Sequence, residues 1–443
     1  MVNVASIFST LGNPNSLIPL AIKDTASTTG MTIGSYITGK EEGHDRFIDE
    51  VGTEAIWLGG IPFYKWLFDS TVFRAVGLDS KFDARNLKDK ALLEKIKEYA
   101  PTDEIKNSIE KAINNKNKFK HTATAKFIVS TALTVASYIG LTKIKQKYTE
   151  KKIRANLIAE YKAEQEKKKQ EKNNIDNKNS SQKIAFKGLG KEIQELAFSP
   201  VKNMWILDGC ITAERLKDSR TEQEFIGYAI KEASILTFLY YADNKIRKIM
   251  ENRANKKFDK SIGLDARVLE DGFLKKAFED GTIKKSLEEF KSISNNDINI
   301  YEFLHKNPDN LVVKAAKMSD IIENYKEPQG IFKKAKDSGK IDTRKYIDLN
   351  EIKDVNTKIE KLYFQFEKAL AKGETSEEFF RGVKKLKRNS IVTSIGSCMF
   401  ALGILTPAIM LIRRFSSKDN TEFETKKQIR EQLIKEGVIA WKK

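Results

Sequence analysis

Cysteine is nearly missing from this chain. Cys210 and Cys398 are the only two in 443 residues, and no CxxC spacing occurs. That excludes a disulfide framework and makes a reducing compartment the expectation. Histidine is as scarce: His44, His121 and His305 have no partner at ligand spacing, and there is no HExxH, GxSxG or GxGxxG. Gly188-Leu-Gly190 lacks both the third glycine and a preceding strand. The usual signatures of zinc hydrolases, serine hydrolases and dinucleotide binders are therefore absent. No catalytic residue, cofactor or metal is assigned. Arginine supplies only 15 of 79 basic residues. A lysine-dominated excess points away from base readout, which favours the bidentate guanidinium, and suits an anionic lipid surface. A general drift towards Lys, Asn and Ile produces the same net charge of +18 with no function attached. Proline, at eight, is too rare to break many helices, and the composition is that of an all-α protein.

Against these absences stands one long apolar run. Residues 390–412 (SIVTSIGSCMFALGILTPAIMLI) carry no charge, and about 20 apolar residues suffice to carry a helix across a bilayer. Lys384, Lys385, Lys387 and Arg388 precede the run, and Arg413 and Arg414 follow it. Such basic clamps are where side chains snorkel to headgroups. A second run, 122–142, is interrupted only by Lys126 and closed by Lys143. In it Ala132, Ala136 and Gly140 recur every four residues, a small-xxx-small row that lets helices approach closely in lipid. Gly396 and Gly403 share a face of the later run, so the two helices are candidates to pair. Both runs are rich in Ser and Thr, and a buried helix of a large soluble bundle is apolar all round as well. The sequence leaves both readings open.

Between and around the runs the pattern is helical. The aromatic segment 55–68 either forms an interfacial hairpin, with Trp57, Tyr64 and Trp66 at headgroup level, or is a buried hairpin of a soluble domain. A helix start falls at Thr102 after Pro101. Residues 143–183 carry a net charge of +7 and read as a charged, coiled-coil-like helix to about Lys172, followed by a linker. Thr221-x-x-Glu224, Ser286-x-x-Glu289 and Thr375-x-x-Glu378 have capping-box spacing. The first opens a helix to about Arg253, whose apolar centre is interrupted by Lys231 and Glu232; it is read as core or interfacial rather than as a third span. The tail suggests a last amphipathic helix near Trp441. Asp83–Asp89 echoes Asp265–Asp271, too briefly to define a duplication.

Two motifs invite chemistry. Gly34–Glu41 fits a P-loop except at Glu41, where a Ser or Thr is needed for Mg²⁺. The competing reading is a turn with a left-handed glycine. Glu41, Glu42, His44, Asp45, Asp49, Glu50 and Glu54 form the densest acidic cluster, suitable for a hard cation or for ordinary pairs such as Arg46 with Glu50. The basic stretch 143–172 has acids alternating into it and few aromatics, unlike a nucleic-acid platform.

The expectation is thus an all-α membrane-associated protein in six segments. These are an N-terminal helical region (1–121), a candidate span (122–142), the charged helix and linker (143–183), a helical domain (184–389), a second candidate span (390–412) and a basic tail (413–443). Two spans place both termini on one side and 143–389 on the other. Basic residues flank the runs evenly, so orientation is not set, although the first charges, Lys23 and Asp24, come too late for a signal peptide and the lysine-rich mass suits the cytoplasmic side. The function expected is non-enzymatic anchoring, interaction or scaffolding at a membrane. Anionic lipid is the expected partner, with a protein partner through 143–172 or 184–389 and no nucleic acid. The alternatives are a soluble binding module whose apolar runs are core, and a nucleotide-dependent protein using residues 34–41.

Overall fold

A computed structural model describes residues 4–13, 16–166, 199–219, 222–329, 335–416 and 424–439. Within them the chain is helical apart from one antiparallel hairpin, β1 (Asn324–Glu327) and β2 (Lys336–Ile341), whose register pairs Asn324 with Ile341 and Lys326 with Asp337. The polar, glycine-containing sequence of β2 gives no alternating pattern that would announce a strand.

The helices are α1 (Val4–Gly12), α2 (Leu17–Thr38), α3 (Lys40–Phe68), α4 (Lys90–Glu98), α5 (Asp103–Asn114), α6 (Lys116–Glu166), α7 (Pro200–Lys217), α8 (Glu222–Ile235), α9 (Asp243–Phe258), α10 (Ala266–Glu270), α11 (Phe273–Glu279), α12 (Thr282–Ile293), α13 (Asp297–Lys306), α14 (Leu311–Met318), α15 (Leu349–Ala371), α16 (Ser376–Phe400), α17 (Thr406–Ser416) and α18 (Glu424–Lys435). A π-helical segment, Leu236–Ala242, joins α8 to α9, and another, Ala401–Leu405, joins α16 to α17. The second lies just ahead of Pro407. There the Thr406 hydroxyl donates to the Ala401 carbonyl at 2.9 Å, so the backbone oxygens freed by the proline and the wider turn find a partner.

Local chemistry sets the helix ends. Thr102 accepts from Ile105 N and opens α5. Thr375 and Glu378 satisfy each other's backbone donors in a complete capping box that opens α16. Ser286 and Glu289, by contrast, sit inside α12, which begins behind the left-handed Gly281 at φ 74°. Thr221, the linker 173–182, Gly188-Leu-Gly190 and Trp441 lie outside the described residues.

The echo between Asp83–Asp89 and Asp265–Asp271 is a structural unit, and a third copy occurs at Asp342–Asp348. In each, an aspartate accepts the backbone N–H two residues on and pairs with that residue's arginine. Asp83 holds Arg85 (N at 2.9 Å, Nη2 at 2.7 Å). Asp265 holds Arg267 (N at 2.8 Å), and Asp342 holds Arg344 (N at 3.1 Å, Nη2 at 2.8 Å). The closing aspartates Asp89 and Asp348 cap α4 and α15. Two copies touch: Asp83 N donates to Arg344 O at 2.8 Å.

Among the described residues two large apolar cores and two small ones stack along the bundle, one of the small ones being Ala266 with Ile391 and Ile395. The largest unites Leu87, Ile96, Ile109 and Phe119 with Val268, Phe290, Val313, Ile359, Phe366 and Phe379. Segments on either side of the apolar run 122–142 therefore close on one helical domain. The second core is the bundle itself, where Leu20, Trp57, Tyr138, Leu207, Leu239 and Leu402 meet. The third, at the far end, joins Ile153 and Leu157 of α6 to Ile429 and Leu433 of α18.

Candidate functional site

Helix α3 is the acidic wall of the bundle. Asp45, Asp49 and Thr53 recur at four-residue spacing and so share a face, and Arg46 and Glu50 lie beside them. All but Arg46 are buried, and Arg46 keeps only 13% of its side chain exposed. Opposite stand cations from three other helices. Lys145 of α6 lies 3.3 Å from Asp49 and 3.6 Å from Asp45. Lys231 of α8 donates to both oxygens of Glu50, at 2.8 and 2.6 Å. Arg215 of α7 is shared: Nη1 donates to Glu232, Nε to the Tyr138 hydroxyl at 2.9 Å, and Nη2 to Thr53 at 3.1 Å. Its guanidinium also lies 3.5 Å from Asp49 and between the rings of Tyr138 and Tyr228.

A second tier lies along α2 and α9. Lys23, 1% exposed, donates to the Leu239 carbonyl at 2.8 Å and pairs with Asp243 at 3.2 Å. Asp243 also accepts from Arg247, which reaches on to the carbonyls of Leu11 and Gly12. Tyr240 donates to Asp208 between the tiers.

The network encloses little space. Among Asp24, Glu50, Asp208, Arg215, Lys231 and Glu232 the centre of a water-sized sphere can move through about 20 Å³, which is room for about one water and none for an organic substrate. Among the described residues no three His, Cys, Asp or Glu side chains converge as a metal site. The acidic cluster read from the sequence is drawn into ion pairs instead, with Glu42 held by Arg414. Pairing of buried charges stabilises weakly against apolar packing, because desolvation consumes the Coulombic gain, but breaking one pair leaves an uncompensated charge. The pairs link four helices, α3, α6, α7 and α8.

Trp57 is 2% exposed, inside the bundle rather than at its rim, because its position on α3 faces Leu207 and Leu239. Trp66 is 63% exposed, and the Tyr64 hydroxyl meets Ser137 at 2.7 Å. Lys126 pairs with Asp69 at 2.6 Å, Arg388 with Glu270 at 2.7 Å, and Arg414 with Glu42. Lys387 donates to the Ile262 carbonyl at 3.0 Å, and burial, opposed by Asp265, pushes its ammonium down to about 8. Lys143 is exposed and Arg413 partly so.

Ala132 and Ala136 face outward, and a Cβ at Gly140 or Gly396 would meet nothing within 4 Å. The close crossing is elsewhere: a Cβ on Gly30 would stand 1.9 Å from the Gly403 carbonyl oxygen. The two long apolar helices thus pack chiefly on others, α6 on α3 and the α16–α17 rod on α2.

Residues 34–38 continue α2 as helix, and Gly39 at φ 173° is extended rather than left-handed. That segment forms no loop around a phosphate.

Comparison with family models, curated proteins and solved structures gives no match for this chain.

In the helical domain His305 stacks on Tyr99 with ring centroids 4.5 Å apart, and its buried Nε2 lacks a hydrogen bond. Burial, with Lys317 nearby, pushes the imidazole down to about 4.

The sequence reading did not nominate Lys23, Lys145 or Arg215, and saw Lys231 only as an interruption of an apolar helix. Lys23 and Lys231 carry a signal, since each stands in an otherwise apolar or small-residue stretch where a charge persists only with a partner; Lys145 and Arg215 stand among other charges and carry none.

Proposed function

We propose that this is a membrane-integrated, non-enzymatic protein that holds a helical domain at a membrane surface for interaction or scaffolding. The observation that carries the reading is the apolar exterior of the bundle's two long helices. On α6 Ile128, Val129, Leu133 and Ile144 are exposed, while Ser130, Thr131, Thr134, Tyr138, Lys145 and Thr149 are buried together with Phe127. On the α16–α17 rod Val392, Phe400, Ile404, Leu405, Ile409 and Ile412 are exposed, while Ser390, Ser394 and Thr406 are buried together with Ile391, Ile395 and Leu402. Only 28% and 33% of the most apolar stretches of these two helices are buried; a core helix of a water-soluble protein buries most of its apolar surface. Lipid is the solvent that such an exterior fits.

The experiment is alkaline carbonate extraction of membranes from cells expressing the full chain. Retention in the pellet with release by detergent is the expected result. Release by carbonate alone overturns membrane integration and returns the bundle to a soluble interaction module.

A further inference from the structure

The ion pairs at the two ends of the bundle give each helix a direction. At one end Lys145 of α6 meets Asp45 and Asp49, Arg414 of α17 meets Glu42, and Lys426 meets both Glu41 and Glu160. At the other end Lys126 of α6 meets Asp69, and Arg388 of α16 meets Glu270 of the helical domain. The long apolar helices therefore run parallel, each from the helical domain towards the small core of Leu157 and Leu433. Two parallel crossings cannot be joined unless the chain returns between them.

From these contacts we infer that Glu222–Phe258 is a further membrane crossing that returns the chain through the bundle, with its outward face against lipid acyl chains. The inference rests on the membrane reading above. The helix is unbroken from α8 through its π segment to α9, roughly 55 Å at 1.5 Å per residue, which exceeds the hydrocarbon core.

Its contacts climb the bundle in order. Tyr228 lies under Arg46, and Lys231 pairs with Glu50 near the first end. Ile235 and Leu239 pack at mid-height with Tyr138 of one apolar helix and Leu402 of the other. Asp243 and Arg247 meet Lys23 and Leu11, and Ala254 enters the core of the helical domain. The three charges within the apolar stretch, Lys231, Glu232 and Asp243, all point inward to a partner. Outward stand Phe225 and Tyr241, at 45% and 54% exposure, and the exposed Lys245 and Lys248 that follow mark where the outward face leaves the acyl chains. Hydropathy averaged along the sequence cannot distinguish inward charges from outward ones. That is why this helix does not read as a span.

The two arrangements differ in where residues 143–166 and the helical domain lie. A two-span chain puts them on the same side, and a returning crossing puts them on opposite sides. Lys151 and Lys285 are exposed positions, one at each end. Lys151→Cys and Lys285→Cys are made separately in the full chain with Cys210→Ser and Cys398→Ala. Each is treated in sealed vesicles of one orientation with a membrane-impermeant maleimide, before and after permeabilisation. The expected result is that one position reacts in sealed vesicles and the other only after permeabilisation. Equal reactivity in a chain that resists carbonate overturns the crossing and leaves membrane integration standing. Loss of the chain from the carbonate pellet overturns both.

Discussion

Lys231 shows what a single side chain does in this bundle. Its ammonium is 2% exposed and bonded to both oxygens of Glu50. Lys231→Met leaves that carboxylate buried beside Asp49 with its closest cation gone, at a cost of about 3–5 kcal/mol. Thermal unfolding of the purified protein in detergent is expected to show the loss, and the double variant with Glu50→Gln to recover most of it. No recovery in the double variant means the methionine fails on packing instead. His305 makes a smaller and pH-dependent contribution. Its folded pKa lies near 4, below the ordinary 6.5, so the folded state binds the proton less well than the unfolded one. Stability is therefore complete above about 6.5 and declines as pH falls towards 4. Between pH 7 and 5 the contribution is about 2 kcal/mol. His305→Phe keeps a ring against Tyr99 and is expected to flatten the pH dependence by that amount. An unchanged slope assigns the pH dependence to the carboxylates.

Helix contacts are decided by which small residue meets which backbone, and spacing alone does not reveal this. Gly396 and Gly140 have open space where a Cβ would be, whereas Gly30 faces the Gly403 carbonyl. Gly30→Ala is expected to force α2 off the α16–α17 rod and cost about 1–3 kcal/mol. Gly396→Ala is expected to be neutral or to stabilise by about 0.5–1 kcal/mol, since alanine is the better helix former. Matching melting temperatures for the two variants would show that α2 shifts without penalty. Legibility in the sequence follows the same division. The apolar runs, the start at Thr102 and the box at Thr375 are local patterns and could be read directly. The acid stripe of α3 was visible only as charge density, because an i,i+4 pair such as Arg46 with Glu50 looks the same on a surface as in an interior. Its counter-charges lie far away in the chain, Lys231 181 positions from Glu50 and Arg414 372 from Glu42, and no window over the sequence connects them. The hairpin β1–β2 was missed because its strands are polar on both faces.

For the whole molecule, the apolar side chains on the outside of the bundle make an exposed position informative. Ile404 is 59% exposed, at mid-height on the α16–α17 rod. In water, an exposed isoleucine exchanged for lysine costs almost nothing. At the centre of a membrane helix the same change costs about 2.5–3.5 kcal/mol. Ile404→Lys is therefore expected to lower the carbonate-resistant fraction of the full chain severalfold, with Lys361→Ile on the helical domain leaving it unchanged. Equal retention of wild type and Ile404→Lys would place this face in water.

The buried pairs also carry a direction in time. Asp45, Asp49 and Glu50 leave the ribosome first, and their cations Lys145, Arg215 and Lys231 follow much later in the chain. At about 5–20 residues per second the last of them emerges roughly 10 to 35 s after Glu50. Until Lys145 emerges, Arg46 alone among these partners stands beside Asp49 and Glu50, and the acid stripe of α3 is only partly neutralised. Buried charge without its partner is costly, so α3 is expected to settle into the bundle only after Lys145, Arg215 and Lys231 have been made.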